Sequence, residues 1–376
     1  MEYISKARIT RGLSRLLCTI NICRFYDYIP QVYEFLYISV LERRPFCDEP
    51  AETQLVNMNR YLLLFCAFAT LGNSLNAQQD PQFTQWFMEP ASVNPAVAGN
   101  SELTCVSGTY RNQWQGLDRD PNTSMLTAHT YVDQLRGGVL LSFYDDALGQ
   151  EENSLYRLGY AFHLEPLSNG AIVSAGLAAS MFSKKLGNVW RAIDGIEGDN
   201  AIPKDKVNAN AIDLDLGVFI RKPGSFYAGI SATHMLEREL ENLSINPRRH
   251  LYFMGGYEYP LNGDYLVLRA NVLAKTDFSA TIQDINVNVL WDNMVWAGVS
   301  FRPGDAVAPT IGVEYATEEK QRNSYSKQVF RLGYSYDVTT SELSNYSNGS
   351  HEVFLSYCFK FQSIPMMNRL ANPRFL

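Results

Sequence analysis

The sequence predicts an all-β fold: a single-chain transmembrane antiparallel β-barrel of about fourteen strands, preceded by an N-terminal periplasmic lead-in segment. Three observations support this prediction: an export signal, apolar residues at every second position, and aromatic residues near the ends of the alternating segments. Apart from the export signal, no apolar run approaches the roughly 20 residues that a transmembrane helix needs.

The export signal occupies residues 58–77. Arg60 gives it a positive start, an apolar run follows from Tyr61 to Leu71, and the small residue Ala77 ends it. This order is typical of a secretory signal, and the run is too short to span a membrane. A buried core helix is the alternative interpretation.

A cleavable signal leads its chain, so the mature protein is expected to begin near Gln78. Residues 1–57 are then interpreted as a translated upstream extension, and their charges and aromatic residues show no sustained period. A long signal n-region with a function of its own is the alternative.

The expected mature chain is acidic and has few cysteines. The whole chain holds 32 Lys+Arg and 39 Asp+Glu, of which residues 1–77 hold 8 and 7, so the remainder carries a net charge of −8. Such a charge gives no basic patch for a nucleic acid. Only Cys105 and Cys358 follow residue 77. They are able to pair, but two cysteines form no disulfide framework, and we expect small apolar residues lying in strands.

Alternation with a period of two marks the strands. Ile212, Leu214 and Leu216, for example, alternate with Asp213 and Asp215. In a barrel the apolar face meets lipid and the polar face lines the lumen. The charged residues expected in the lumen are Arg157, Asp213, Arg269, Lys275 and Asp284. The candidate strands are 101–114, 122–133, 136–146, 154–165, 170–183, 208–221, 224–234, 249–260, 264–275, 281–292, 294–303, 307–318, 326–337 and 351–361.

The residues at the ends of these segments predict the membrane interfaces and the connections between strands. Aromatic residues expected at the membrane interfaces are Tyr252, Phe253, Tyr257, Tyr259, Trp291 and Trp296. Tight turns are predicted at 262–264 and 291–294, and longer loops at 184–207, 236–248 and 339–350, all three at one rim. An even strand number brings both ends to one side, and closure leaves no backbone group unpaired in lipid.

The chain therefore divides into a lead-in segment at 78–100, a barrel at 101–361 and a C-terminal tail at 362–376. We expect the tail to fold back or to be presented to a partner. Two further stretches are candidates for partner binding, one in the lead-in segment and one at the end of the first strand. Their residues are Asp80, Pro81, Gln82, Phe83, Gln85, Asn94, Pro95, Gly99, Arg111, Gln113 and Trp114.

Each candidate has a structural alternative, and for the lead-in segment the two interpretations are compatible. Prolines interrupt regular strands, so the lead-in segment is either a docking segment or a plug that packs in the barrel mouth. At the end of the first strand, an interfacial aromatic belt with an arginine in the lumen is the favoured interpretation.

The residues show no catalytic, cofactor or metal motif. The histidines are scattered, without metal-ligand spacing to a cysteine or to one another, and there is no phosphate loop or nucleophile elbow. The acidic run 194–200 fails the spacing of an EF-hand and is interpreted as a solvated loop. We therefore expect a non-enzymatic protein; a hydrolase site assembled from distant strands is the enzymatic alternative.

Four stretches carry a family resemblance: QQDPQFTQWFMEPASVNPAVAGN, YRNQWQGLDRDPNTSMLTAHT, RHLYFMGGYEYPLN and GYSYDVTTSELSNYSNGSHEVFLSY. Together they resemble the PorP/SprF family of the Bacteroidetes type IX secretion system, from Gln78 to about Phe361. Residues 1–57 have no counterpart in that family.

The resemblance implies a non-enzymatic outer-membrane barrel that serves secretion or surface anchoring of cargo and, in some relatives, gliding motility. The implied partners are periplasmic ring proteins, a peptidoglycan-binding partner, the secreted or surface-anchored cargo, and outer-membrane lipid. A permeation channel for small or apolar molecules is the alternative function.

Overall fold

The computed structural model describes residues 80–101, 103–117, 119–187, 205–240, 243, 247–263, 265–321 and 324–363. The expected upstream extension, the signal, residues 78–79, the acidic run 194–200 and residues 364–376 of the expected tail lie outside this part of the chain. None of the described helical segments has the length and apolar character needed to cross a bilayer.

Within the described residues, fourteen antiparallel strands form one closed barrel, in which each strand pairs with its neighbours in sequence and the last pairs with the first. The strands are β1 (Thr104–Asn112), β2 (Asn122–Val132), β3 (Gly137–Leu148), β4 (Glu151–His163), β5 (Ile172–Leu186), β6 (Val207–Lys222), β7 (Phe226–Thr233), β8 (His250–Pro260), β9 (Leu266–Thr276), β10 (Thr281–Trp291), β11 (Val295–Arg302), β12 (Ala306–Gln321), β13 (Ser324–Thr339) and β14 (Ser350–Ser363). The predicted fold class and strand number are confirmed. The strands differ from prediction mainly at their ends; β12, for example, continues to Gln321.

The barrel has two rims that differ in their connections. We call the edge where β1 begins and β14 ends the terminal rim, and the opposite edge the loop rim. The connections after β5, β7 and β13, where the three long loops are predicted, leave and re-enter the barrel on the loop rim, as expected from the antiparallel order. Residues 188–204, 241–242 and 244–246 of the first two predicted loops lie outside the described part of the chain. The tight turns after β8 and β10 lie on the terminal rim. Bacterial barrels keep their short turns in the periplasm, which assigns the terminal rim to that side.

The two faces of each strand differ as the alternation predicts. On β4 the side chain of Leu158 is 61% exposed, whereas its neighbour Arg157 is 6% exposed and lies in the lumen. On β6, Asp213 is likewise inward and Ile212 outward. All five charged residues predicted for the lumen lie on inward positions.

The interface position predicted for two of the six aromatic residues is wrong. Tyr252 and Trp296 point into the lumen and are buried, because each falls on the inward phase of its strand. Phe253, Tyr257, Tyr259 and Trp291 lie on the outward phase and are exposed, as predicted.

The expectation of unpaired cysteines is also wrong. Cys105 of β1 lies directly opposite Cys358 of β14, and the two form a disulfide with a Cα–Cα distance of 4.0 Å. The sequence alone did not reveal that the first and last strands place these residues at the same level. The disulfide therefore joins the two ends of the barrel at the seam where it closes.

Candidate functional site: the plugged lumen

The segment Asp80–Asn100, which we call the plug segment, lies inside the barrel. Near its start, Asp80 contacts His234 at 3.1 Å, where the loop after β7 begins on the loop rim. Near its end, the carbonyl oxygen of Ala98 lies 2.8 Å from a ring nitrogen of His163, the last residue of β4 on the terminal rim. The plug segment therefore runs through the lumen from one rim to the other. This differs from the predicted periplasmic lead-in, because the described start of the segment lies at the loop rim.

Local sequence explains the compact shape of the plug segment. It forms three 3-10 turns, at Trp86–Met88, Pro90–Ser92 and Pro95–Val97. Proline opens the last two turns, a position where its missing N–H costs nothing. The side chain of Asn94 caps the third turn by accepting from the backbone N–H of Ala96 at 2.9 Å.

Small residues allow the plug segment to lie directly against the barrel wall. Ala96 and Ala98 are fully buried, and glycines on the wall face them. A Cβ added at Gly176 would overlap the backbone of Ala96, and one at Gly138 would overlap Ala98. These inward glycines therefore leave the space in which the backbone of the plug segment packs against the wall.

A cluster of buried charges fixes the other half of the plug segment. We call Arg111, Asp284, Arg302, Asp337 and Glu352 the seam cluster. Arg111 donates to Asp337 at 2.7 Å and to Glu352 at 3.0 Å. Arg302 donates to Asp284 at 3.0 Å and lies 3.4 Å from Asp337.

The seam cluster also binds the plug segment. Both carboxylate oxygens of Glu352 accept backbone N–H groups, from Thr84 and Gln85, at 2.7 Å each. The hydroxyl of Thr84 donates to Asp337, and the indole N–H of Trp86 donates to Asp284 at 3.3 Å. Buried ion pairs contribute little net stability, but removing one partner leaves an uncompensated charge. The cluster therefore holds Thr84, Gln85 and Trp86 of the plug segment through buried hydrogen bonds.

A second polar cluster lies at the start of the plug segment. It consists of Asp80, Asp213, His234, His250 and Tyr252, and we call it the Asp80 cluster. The two ring nitrogens of His234 lie 3.2 Å from Asp213 and 3.1 Å from Asp80. The hydroxyl of Tyr252 donates to Asp80 at 2.7 Å.

The charge state of His234 follows from its two carboxylate neighbours. Burial by itself lowers the pKa of His234, but the charge of Asp80 and the hydrogen bonds to Asp213 and Asp80 raise that pKa to about 10. The ring is therefore positively charged at neutral pH. Because both of its nitrogens face carboxylates, it is not placed to activate a serine or cysteine nucleophile.

Cavities flank the plug segment on both sides. On the loop-rim side, cavities of about 540 and 630 Å³ share Asp80, Pro81 and Trp114 in their linings. On the terminal-rim side, a cavity of about 280 Å³ is lined by Phe87 and by charged residues that include Arg269.

The structure gathers the predicted partner-binding residues around the plug segment. Phe83, Gln85, Asn94, Pro95, Gly99 and Arg111 are buried in the lumen, whereas Asp80, Pro81, Gln82, Gln113 and Trp114 are partly exposed beside the loop-rim cavities. These contacts agree with the structural alternatives given for the two stretches, namely a plug for the lead-in segment and a lumen position for Arg111. That the same residues dock a partner stays a prediction.

Most of the residues that hold the plug segment carry no distinctive sequence pattern. Asp337, Glu352 and Arg302 each fall on the inward phase of a predicted strand, and that phase is their only signal in the sequence. His234 and His250 lie at the two ends of one connection, and their strands pair with Thr233 opposite His250. Because the two predicted strands are neighbours in sequence and pair as a hairpin, the sequence does predict that these two histidines lie close together.

A family model described as type IX secretion system membrane protein PorP/SprF matches residues 75–357. No curated protein sequence matches the chain.

Similar solved structures include the toluene transporter TbuX of Ralstonia pickettii, with 13% identity and a TM-score of 0.47 over 74% of this chain and 94% of that one. They also include a Pseudomonas aeruginosa FadL homologue, with 10% identity and a TM-score of 0.41 over 72% and 93%. The Acinetobacter baumannii outer membrane protein Omp33 shows 11% identity and a TM-score of 0.37 over 69% and 98%.

Proposed function

Since the chain belongs to the PorP/SprF family of type IX secretion system membrane proteins, we propose that this outer-membrane barrel supports the secretion or surface anchoring of cargo proteins. It acts without catalysis, through periplasmic ring proteins, a peptidoglycan-binding partner and the cargo itself. Where the cargo serves movement, it also supports gliding motility.

The observation that carries this proposal is the plug segment. It occupies the lumen from rim to rim and is held by the buried ion pairs of the seam cluster. A barrel filled in this way has its rims, not its interior, available for function. Binding at the rims is the activity that a secretion component needs.

Exposed aromatic residues on the loop rim support a surface partner. Phe278, between β9 and β10, is 73% exposed, and Tyr346, between β13 and β14, is 72% exposed. Aromatic residues are enriched at protein interfaces, and large apolar side chains in loops outside the bilayer have no lipid to cover them. We therefore place the surface contact on these loops, next to Trp114 and Gln113.

The decisive experiment is a comparison of the extracellular and cell-surface proteomes of strains with and without this chain. Loss of many unrelated exported proteins identifies a core part of the secretion machine, and loss of one or a few identifies a partner dedicated to that cargo. An unchanged set overturns the proposal. Complementation with Phe278→Ser and Tyr346→Ser together tests the loop surface, and Ser344→Ala in the same rim is the control.

The competing function, a permeation channel, is tested by conductance. A plugged barrel is expected to show no steady conductance in planar bilayers, whereas a channel for small molecules conducts or takes up its solute. Conductance together with an unchanged secreted set moves the channel function to first place.

A further inference from the structure

We propose that Asp80, His234 and His250 bind one divalent transition-metal ion of the zinc class, which fastens the start of the plug segment to the barrel wall. Each residue offers one ligand atom, and these atoms all lie within 4.8 Å of one another. Two imidazole nitrogens and one carboxylate oxygen form a donor set that zinc accepts.

His250 provides the first independent observation. Its side chain is 3% exposed, and neither ring nitrogen has a hydrogen-bond partner among the described residues. Its Nδ1 lies 3.9 Å from the Asp80 carboxylate, beyond a hydrogen bond. Burying an imidazole whose nitrogens have no hydrogen-bond partner destabilises the folded protein, and coordination of a metal ion would give one of these nitrogens a partner.

His234 provides the second independent observation. Its Nδ1 faces Asp213 at 3.2 Å and its Nε2 faces Asp80 at 3.1 Å. Metal-binding histidines commonly donate their other N–H to a carboxylate, which fixes the ring and its tautomer. Asp213 stands where that orienting carboxylate belongs, and the backbone N–H groups of Leu214 and Leu236 hold it there at 2.7 and 2.9 Å.

The charges around the site favour a cation. The carboxylates of Asp80 and Asp213 lie on either side of the His234 ring, so two negative charges surround the place of the ion. Lys275 donates to the backbone carbonyl of Asp80 at 2.8 Å and not to its carboxylate. Tyr252 holds one oxygen of that carboxylate at 2.7 Å.

The surroundings leave room for a further ligand. The cavity of about 540 Å³ on the loop-rim side includes Asp80, His234 and His250 in its lining. Water from that cavity completes a four-coordinate ion, as in sites with three protein ligands. Calcium and magnesium prefer sites made of oxygen ligands, so the two imidazoles favour zinc over both.

Such an ion would connect three parts of the chain. Asp80 begins the described plug segment, His234 follows β7 and His250 begins β8. The ion would therefore hold the plug segment at the loop rim, at the opposite side of the lumen from its junction with β1.

The test uses the full chain, folded and purified in detergent and stripped with a chelator. Calorimetric titration with Zn²⁺ is expected to show one ion per chain. His250→Leu is expected to abolish this binding, and Asp213→Asn to weaken it 10–100-fold, the usual effect of losing an orienting partner. His351→Gln is the matched control and is expected to bind as the wild type, because His351 contacts Tyr334 and Gln115 instead.

Several results would overturn the proposal: no stoichiometric Zn²⁺ in the wild type, unchanged binding in His250→Leu, or equal binding of Mg²⁺ or Ca²⁺. The His250→Leu chain is expected to fold, since His250 has no hydrogen bond to lose among the described residues. Co²⁺ loading of the wild type gives a result that needs no variant. Strong visible absorption supports a low-coordinate nitrogen site, and the weak spectrum of hydrated Co²⁺ contradicts it.

Discussion

Arg111 of β1 lies directly across the closing seam from Glu352 of β14, and its Nη1 donates to the Glu352 Oε2 at 3.0 Å. The same carboxylate accepts two backbone N–H groups of the plug segment. One ion pair thus joins the first strand, the last strand and the plug segment. Closure of the barrel and seating of the plug segment are therefore linked through the same buried charges.

Arg111→Met is expected to lower the free energy of unfolding by about 3–5 kcal/mol, because it leaves the buried carboxylate of Glu352 without its cation and removes the nearer cation of Asp337. Urea unfolding in liposomes, followed by heat-modifiable migration in gels, measures this change. Lys185→Met is the control. It breaks a pair in which Lys185 and Glu152 lie 3.9 Å apart and are exposed, and such a pair contributes about 0–1 kcal/mol. Equal effects of the two changes would contradict a structural role for the seam cluster.

Gly176→Leu is expected to displace the plug segment and to open the lumen. Gly176 points inward on β5, and even a Cβ there would overlap the backbone of Ala96. The measurement is conductance in planar bilayers, which should rise from the closed level of the wild type. Gly108→Leu introduces the same side chain on the outward face of β1, where a Cβ meets only ordinary contacts, and it should stay closed. A closed Gly176→Leu barrel that remains folded would count against the plug as the barrier.

Loss of the disulfide is expected to weaken the barrel without opening it. Cys105 and Cys358 are separated by 253 residues, so their bond closes a long loop in the unfolded chain. Replacing both by serine should cost about 2–5 kcal/mol, mainly by freeing the unfolded state. Urea midpoints of the double variant and of the reduced and oxidised wild type measure it. The reduced wild type should match the variant, and an oxidised wild type no more stable than either would refute the prediction.

The strands were predictable from sequence because lipid and lumen impose opposite demands on alternate residues. That rule assigns Asp213 inward and Ile212 outward without any knowledge of partners. It also assigns Tyr252 and Trp296 inward, but both are aromatic and lie near strand ends, and those two features alone predict an interface position. The rule does not say what fills the lumen, where Tyr252 donates to Asp80 of the plug segment and Trp296 packs against Phe87.

The alternation of apolar and polar residues does not predict which residues of distant strands come into contact. The pairing of Cys105 with Cys358 depends on the register of the first strand against the last. The seam cluster depends on inward residues of β1, β10, β11, β13 and β14 at one level of the barrel. Each member has an ordinary local pattern, so its role emerges only when the barrel closes.

Leu158→Arg is expected to cost about 2–4 kcal/mol, because it puts a charge on the lipid face. Leu158 lies near the middle of β4, between Leu141 and Ala179 of the neighbouring strands, and points outward. Unfolding by urea in liposomes gives the free energy. Leu167→Arg is the control: Leu167 is also an exposed leucine but lies in the turn between β4 and β5, outside the strands. It should change stability by only a few tenths of a kcal/mol, as surface substitutions usually do. If Leu158→Arg is as well tolerated as the control, the outward face of β4 does not meet lipid, and the assignment of faces fails.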